Sequence, residues 1–285
     1  MKSNIKNDVA FFAVIFNENE NYLDLFFDSL KKQTYSNFDV VIVNDRYNNF
    51  EFLYDKYKEL NIVELKYSST PAKNREFGIK YIFEKNYKIV IFGDSDDYFA
   101  NNRVQICINK LIYYDIVVND ISLFNDNGIG IKKYISNRIE NNTEINLDFI
   151  KDKNIFGMTN TAIKINALEN VNFDSELIAV DWYFFSILLL KNYKAIFTNE
   201  TETYYRQYSN NTVGITNITN ESISKEIMIK IKHYDLIRKE FKQFQSLYEE
   251  MIEFKKKVVN INFVEKLKKQ NIKNPFWWEE IRLIK

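Results

Sequence analysis

Apolar segments of strand length alternate with segments of helical periodicity over the first part of the chain. The strands are predicted at residues 9–16, 38–43, 62–67 and 88–92, and each of the first three is followed by a helical pattern. A β-α-β-α-β-α-β order needs crossover connections, which place the strands in parallel and the helices on both faces of one sheet. The sequence therefore predicts an α/β protein with a mostly parallel sheet flanked by helices.

The rest of the chain has a weaker pattern. We predict a helix at 103–113, a strand at 116–123 with a hairpin return at 131–135, a buried helix at 181–190, and short strands at 195–198 and 203–205. From Glu221 to about Gln270 the chain reads as helix. We therefore predict a first domain over residues 1–218, with halves of about 1–100 and 101–218, and a C-terminal helical extension over 219–285.

The scarce residue types exclude several classes of site. The chain has one Cys and one His, which rules out an intramolecular disulfide, a zinc ribbon and a three-histidine zinc site. Lys and Arg together number 39 and Asp and Glu number 39, so bulk electrostatics does not favour nucleic acid as a partner. If the protein is an enzyme, its chemistry depends mainly on carboxylates, amides, hydroxyls, Lys and Arg.

Polar residues follow each of the first strands at the point where the strand ends. Asn17 and Glu18 follow the first strand, Asp45 ends the second, and residues 94–97 (Asp-Ser-Asp-Asp) follow the fourth. Ligands of open α/β sheets bind outside the carboxyl ends of the strands. We therefore expect these side chains to share one site at this edge.

The segment 94–97 places three carboxylates within four residues, and these repel one another unless a cation lies among them. Mg²⁺ or Mn²⁺ fits, because hard cations take one or two carboxylates together with substrate phosphates. The alternative is a polar turn that caps the next helix. The acidic ends of the other strands favour the metal–phosphate interpretation.

This segment resembles the Asp-x-Asp motif of GT-A glycosyltransferases, and its surroundings resemble family 2, the inverting kind. The resemblance covers about residues 8–214 and depends on the order of several short motifs. These are the polar turn after strand one, Gln33-Thr34, the acidic end of strand two, Ala72-Lys73-Asn74-Arg75, the metal motif, Asp181 at the start of an apolar helix, and Tyr205-Arg206.

The resemblance implies a role for each matching residue. Asp45 would bind the nucleotide base, Asp94 the ribose, and Asp96 the divalent ion, while either Lys73 or Arg75 would meet the donor diphosphate. The implied donor-binding residues are Phe16, Asn17, Glu18, Asp45, Lys73, Asn74, Arg75, Asp94, Ser95 and Arg206, and the implied metal ligands are Asp96, Asp94 and Tyr208.

The sequence departs from the family at one metal ligand. Many relatives place a His two residues after the Arg, and here that position is Tyr208. The third ligand is thus Tyr208, Asn210, a water or nothing. Asp97 is either a second ligand or a helix cap, and we favour the cap.

Asp181 is the expected general base, which would accept the proton of an acceptor hydroxyl, although Asp is also a preferred helix N-cap. Trp182 is either an acceptor-binding wall or plain core. Arg206 either touches phosphate or anchors the loop 207–214. His233 is expected to be an exposed residue of the C-terminal helix.

These features together predict a glycosyltransferase that moves a sugar from a nucleotide-diphosphate donor, with a UDP-sugar favoured, to a glycan or lipid-linked acceptor, using Mg²⁺ or Mn²⁺. The resemblance also implies a role in bacterial surface polysaccharide synthesis. Two alternatives remain: a nucleotidyltransferase that makes sugar nucleotides, and a non-catalytic relative that binds nucleotide or glycan.

No signal peptide is visible, so we expect a cytoplasmic protein. The tail 275–285, with Trp277 and Trp278 beside charges, either contacts the inner face of the membrane, packs on the protein or forms a dimer contact.

Overall fold

The computed structural model describes residues 7–168, 171–207 and 220–258. Within these residues, ten strands form one sheet in the order β3-β2-β1-β4-β9-β6-β10-β5, with β7 paired to β6 and β8 to β10. The strands are β1 Val9–Phe16, β2 Phe38–Asp45, β3 Asn61–Lys66, β4 Ile89–Phe92, β5 Tyr98–Phe99, β6 Ile116–Asn125, β7 Gly128–Ile131, β8 Glu144–Ile145, β9 Thr161–Lys164 and β10 Ala195–Arg206. The helices are α1 Leu23–Lys31, α2 Phe50–Lys56, α3 Pro71–Glu84, α4 Arg103–Leu111, α5 Leu147–Ile150, α6 Val180–Leu190, α7 Asn220–Glu240 and α8 Gln245–Lys257.

The first half of the sheet has the predicted parallel order. Strands β3, β2, β1 and β4 pair in parallel, so their carboxyl ends meet at one edge. The second half is mixed, because β9 enters the centre of the sheet antiparallel to both β4 and β6. The short strand β9 was not predicted from the sequence.

Alternate residues of β1 show how the sheet separates two hydrophobic cores. Phe12 and Val14 face one core, which includes α6, α7 and α8. Phe11 and Ala13 face the other, which includes α1 and α4. Side chains of successive strand residues point to opposite faces, so a strand that is apolar throughout is buried on both sides.

Three local predictions need correction. The segments 195–198 and 203–205 belong to one strand, β10, whose pairing with β6 shifts between Thr198 and Glu202. The hairpin partner of β6 is β7, which lies earlier than the predicted 131–135. The long C-terminal helix is interrupted at Phe241, where the backbone is extended, before α8 begins.

The C-terminal helices share the core of the main sheet. Ile227 and Tyr234 of α7 and Phe254 of α8 are buried in the same hydrophobic cluster as β1 and α6. The predicted domain boundary at 218/219 lies outside the described residues and stays a prediction, as does everything predicted for the tail. No helix in the described ranges is long and apolar enough to cross a membrane.

Candidate active site

A cavity of about 950 Å³ opens at the carboxyl ends of β1, β2 and β4. Its walls come from the strand ends, from the first turn of α3, from the segment before α6 and from the end of β10. The predicted site residues that line it are Phe16, Asp45, Arg75, Asp94, Ser95, Asp96, Asp181 and Arg206. The structure therefore gathers eight predicted positions, from distant parts of the chain, in one place.

Asp45 is held at the cavity wall by a residue of α3. The fully buried Asn74 donates a side-chain hydrogen bond to Asp45 Oδ2 over 2.7 Å. Thr70 and Pro71 start α3 beside this contact, with the Thr70 hydroxyl accepting from the Lys73 amide as an N-cap. Asn74 therefore orients Asp45, and with a fully buried side chain it does not itself face a donor.

The neighbouring cations Lys73 and Arg75 point in different directions. Arg75 lines the cavity, with Nη2 3.2 Å from Asp94 Oδ1. The Lys73 ammonium instead lies 2.7 Å from Glu76 Oε2 and 3.3 Å from Asn172 Oδ1. Of these two cations, Arg75 is therefore the one placed to meet the donor. The predicted donor contact of Lys73 is corrected, because its ammonium is bound to Glu76 instead.

The acidic loop 94–97 begins immediately after a glycine that has no room for a side chain. A Cβ on Gly93 would lie 2.5 Å from the Phe11 ring and 2.8 Å from the Phe99 ring. Within the loop, Asp94 and Asp96 face the cavity. The buried Ser95 hydroxyl donates to the Val14 carbonyl over 2.8 Å. That hydroxyl therefore fastens the loop to β1, and the predicted donor contact of Ser95, which lines the cavity, stays a prediction.

Asp97 does not cap a helix, contrary to our expectation. It is fully buried and accepts hydrogen bonds from the Arg206 backbone amide at 2.8 Å and from the Thr159 hydroxyl at 2.5 Å. Burial, together with the charges of Asp96 and Asp94, raises the pKa of Asp97 well above its ordinary value. The next helix, α4, starts only at Arg103, so Asp97 joins the acidic loop to β10 instead.

Asp181 lies in the first turn of α6 and at the cavity wall. Its Oδ1 accepts from the Trp182 amide at 2.7 Å. Burial raises the pKa of Asp181 to about 6, against the opposing effects of that amide and of Arg75. A carboxylate with this pKa is ionised at neutral pH and more basic than an ordinary Asp, which suits a general base.

Of the two alternatives for Trp182, an acceptor-binding wall and plain core, the structure shows core. Its side chain is fully buried, its indole N–H donates to the Ile150 carbonyl over 2.7 Å, and its ring stacks on His233. His233 is fully buried too, which corrects the expectation of an exposed helix residue. Among the apolar residues that line the cavity near α6, Ile178 is 52% exposed.

Arg206 ends β10 beside the acidic loop and is almost completely buried. Its guanidinium lies between two aromatic rings, 4.1 Å from the Tyr22 centroid and 4.5 Å from the Phe124 centroid. Nε donates to the Asp96 carbonyl over 2.9 Å. These contacts make Arg206 an anchor of the acidic loop at the edge of the cavity.

The remaining predicted residues are only partly described. Phe16 is half-buried at the end of β1, and Asn17 is exposed at the start of a short 3-10 helix. The Glu18 side chain and Tyr208 lie outside the described residues. Among the residues that the structure does describe, no group of three His, Cys, Asp or Glu side chains is arranged to hold a metal ion.

Two contacts at or near the cavity were not predicted from the sequence. Thr159 lines the cavity from an irregular turn and binds Asp97, and Glu76 accepts from the Phe173 amide at 2.8 Å. Glu76 thereby joins α3 to the segment that leads into Asp181. Both contacts join residues far apart in the chain, so only tertiary structure reveals them.

The mixed sheet with flanking helices is the GT-A fold. The family model for glycosyl transferase family 2 matches residues 11–170, more than half of the chain. The chain therefore belongs to glycosyl transferase family 2.

Solved structures share the fold at low sequence identity. S. aureus TarS 1–349 in complex with UDP-GlcNAc aligns with 20% identity and a TM-score of 0.57, over 79% of this chain and 66% of that one. The mannosyltransferase PcManGT from Pyrobaculum calidifontis, with GDP-Man and Mn²⁺, aligns with 13% identity and a TM-score of 0.60, over 83% and 66%. GalNAc-T7 with UDP, GalNAc and Mn²⁺ aligns with 11% identity and a TM-score of 0.54, over 88% and 56%. The chain thus spans just under two thirds of the first of these structures. No curated protein sequence matches the chain.

Proposed function

We propose that this protein transfers a sugar from a nucleotide-diphosphate donor to a hydroxyl of a glycan or lipid-linked acceptor, by a single displacement that inverts the anomeric centre. The observation that supports this most is the placement of Asp181 in the same cavity as Asp45, Arg75, Asp94 and Asp96. One wall thus offers groups for a nucleoside diphosphate, and the other offers a base for the acceptor.

The donor would bind along the ends of β1, β2 and β4. By family analogy, Asp45 accepts a hydrogen bond from the base and Asp94 accepts one from the ribose. The hydrogen bond that Asn74 donates to Asp45 would orient this carboxylate for the base. Arg75 is the described cation closest to Asp94 and is placed to neutralise charge on the diphosphate. UDP-sugar is the favoured donor, since TarS is known in complex with UDP-GlcNAc and with UDP.

Asp96 would hold Mg²⁺ or Mn²⁺ together with the donor phosphates. The residues fit such an ion, because Asp96 faces the cavity and hard cations bind through one or two carboxylates plus phosphates. PcManGT and GalNAc-T7 are both known with Mn²⁺. When bound, the ion would offset the charge that develops on the leaving nucleoside diphosphate.

Asp181 would take the proton from the acceptor hydroxyl as that oxygen attacks the anomeric carbon. With its pKa raised to about 6, the carboxyl is ionised at neutral pH and binds the proton better than an exposed Asp. The walls near Ile178 and Leu177 would then face the acceptor.

A donor panel tests the proposal. The protein is incubated with UDP-, GDP-, CDP- and dTDP-sugars and Mn²⁺, and release of nucleoside diphosphate is measured, with Asp181→Asn and Asp96→Ala as controls. Release from one donor that both variants reduce supports the proposal. A parallel incubation contains a sugar 1-phosphate and the four nucleoside triphosphates, and release of pyrophosphate there would indicate nucleotidyl transfer. No release in either incubation would favour a non-catalytic relative.

A role in surface polysaccharide synthesis and a peripheral membrane contact through the tail 275–285 remain part of the proposal. Both rest on family analogy and on the two Trp residues among charges. Binding of the intact protein to vesicles, and its loss on deletion of residues 275–285, would support the membrane contact. If the intact protein does not bind vesicles, the proposed membrane contact is wrong.

A further inference from the structure

A charged side chain is buried directly beneath the acidic loop. Arg103, the first residue of α4, is fully buried, with its guanidinium carbon 4.5 Å from the Phe99 ring centroid. Burial lowers its pKa only to about 10, so the guanidinium is charged at neutral pH. A buried charge is costly unless hydrogen bonds and opposite charges compensate it.

Arg103 binds the strand that leads into the loop. Its Nη2 donates to the carbonyl of Phe92, the last residue of β4, over 2.6 Å. Gly93 alone separates that carbonyl from Asp94. Arg103 therefore fixes the backbone at the first end of the loop 94–97.

A chain of buried hydrogen bonds connects Arg103 to the other end of the loop. Arg103 Nε donates to Asn119 Oδ1 at 2.9 Å, and Asn119 Nδ2 donates to the Thr203 hydroxyl at 3.1 Å. The Thr203 hydroxyl donates to the Thr159 carbonyl at 3.1 Å, and the Thr159 hydroxyl donates to Asp97. All five side chains are at most 5% exposed, so water does not compete for these bonds.

The two ends of this path enclose the residues that face the donor. Asp94 and Asp96 lie between Phe92 and Asp97, and both line the cavity. The three carboxylates of the loop repel one another, and a cation on the core side offsets that repulsion without occupying the cavity. Such an arrangement would hold the loop in its binding conformation before the donor arrives.

We propose that Arg103 is a positioning residue for the donor and its metal ion: through the Phe92 carbonyl and the Asn119–Thr203–Thr159–Asp97 path, it keeps Asp94 and Asp96 directed into the cavity. This inference rests on the proposed function, because it assigns the loop to the metal and the diphosphate. Arg103 acts through the loop and touches neither ligand.

Calorimetric titration of the whole protein tests the role. Kd is measured for the one nucleotide among UDP, GDP, CDP and dTDP that the wild type binds, with Mn²⁺ and again with EDTA. Arg103→Lys keeps the charge but loses the two-pronged donor geometry. We expect it to raise Kd with Mn²⁺ about tenfold, while Kd with EDTA changes much less.

Two further variants separate positioning from stability. Thr159→Val breaks the path to Asp97 and leaves Arg103 intact. We expect this variant, too, to raise Kd with Mn²⁺ and to change Kd with EDTA much less. The test therefore stays valid if Arg103→Lys does not fold. Tyr87→Phe removes a buried hydrogen bond to Asp39, 2.7 Å long, between the start of β2 and the turn before β4. It should lower Tm without changing the ratio of the two Kd values.

The outcomes are distinct. If Arg103→Lys and Thr159→Val lower Tm as Tyr87→Phe does but leave the Kd ratio at the wild-type value, Arg103 is a structural residue and the inference is wrong. If the wild type binds a nucleotide equally well with Mn²⁺ and EDTA, the inference fails while the donor site stands. If the wild type binds no nucleotide at all, the proposed function fails, and the inference fails with it.

Discussion

The side chains of Trp182 and His233 stack face to face, with ring centroids 3.6 Å apart and ring planes inclined by 6°. Trp182 follows the proposed base in α6, and His233 lies in α7, so the stack joins the helix that carries Asp181 to the C-terminal helices. Neither ring nitrogen of His233 has a hydrogen-bond partner among the described residues. Burial, with a smaller effect of Lys230, holds the pKa of His233 well below its ordinary value.

Substitution of His233 by Phe should make the protein less sensitive to acid. In the unfolded chain this imidazole binds a proton near pH 6.5, whereas in the folded protein it stays neutral to lower pH. The free energy of unfolding therefore decreases as the pH falls below 6.5, by roughly 1 kcal/mol per pH unit. Urea unfolding of wild type and His233→Phe between pH 7 and pH 5 checks this. The two stabilities should diverge in favour of the variant as the pH falls, and a constant difference would contradict the prediction.

Substitution of Asp181 by Asn should slow turnover strongly yet stabilise the fold. Loss of a general base costs about 10²- to 10⁴-fold in rate. Because burial raises the folded-state pKa of Asp181 to about 6, ionisation opposes folding at neutral pH, and Asn removes a cost of up to about 3 kcal/mol. This gain should disappear as the pH falls from 6 towards 4.

The same carboxyl predicts the pH dependence of the reaction. The wild-type kcat/KM should rise through an acid limb near pH 6 and level off above it, because only the ionised base accepts the proton. An acid limb near pH 4, or an active Asp181→Asn variant, would remove Asp181 from this role.

Arg75 and Lys73 form a matched pair of variants on one helix turn. Arg75→Met should weaken nucleotide binding about 10- to 100-fold, because the variant lacks the proposed charged hydrogen bond to the diphosphate. Lys73→Met should weaken it far less, since the Lys73 ammonium is bound to Glu76. Equal losses in both variants, measured as Kd, would argue that Lys73 also turns to the donor.

Substitutions of the adjacent residues Asp96 and Asp97 should have different effects on Tm and on the response to Mn²⁺. Asp97→Ala leaves the buried Arg206 amide and Thr159 hydroxyl without their acceptor, which should cost about 2–4 kcal/mol and lower Tm clearly. Asp96→Ala, whose side chain faces the cavity, should lower Tm less and remove the effect of Mn²⁺ on nucleotide binding. If instead Asp96→Ala lowers Tm more and Asp97→Ala removes the effect of Mn²⁺, then Asp96 is the structural residue and Asp97 binds the ion.

The sequence predicts those parts of the fold that depend on local pattern. Four apolar strands with polar ends locate Asp45, Asp94 and Asp96 at one edge, because parallel strands align their carboxyl ends. It does not predict β9 or the Thr159–Asp97 bond, which join distant segments across the sheet. The sequence leaves Trp182 undecided between wall and core for the same reason: sequence order gives its neighbours along the chain, and only packing decides which way a side chain points.

The central claim, that this cavity binds a nucleoside diphosphate, is tested most directly by thermal unfolding with UDP, GDP, CDP and dTDP, each with Mn²⁺ and with EDTA. A ligand that binds only the native state stabilises it by about 2.7 kcal/mol at a hundredfold excess over its Kd. We predict a rise in Tm for one nucleotide, with UDP favoured, that depends on Mn²⁺ and is lost in Asp96→Ala. An unchanged Tm with all four nucleotides under both conditions would contradict the claim.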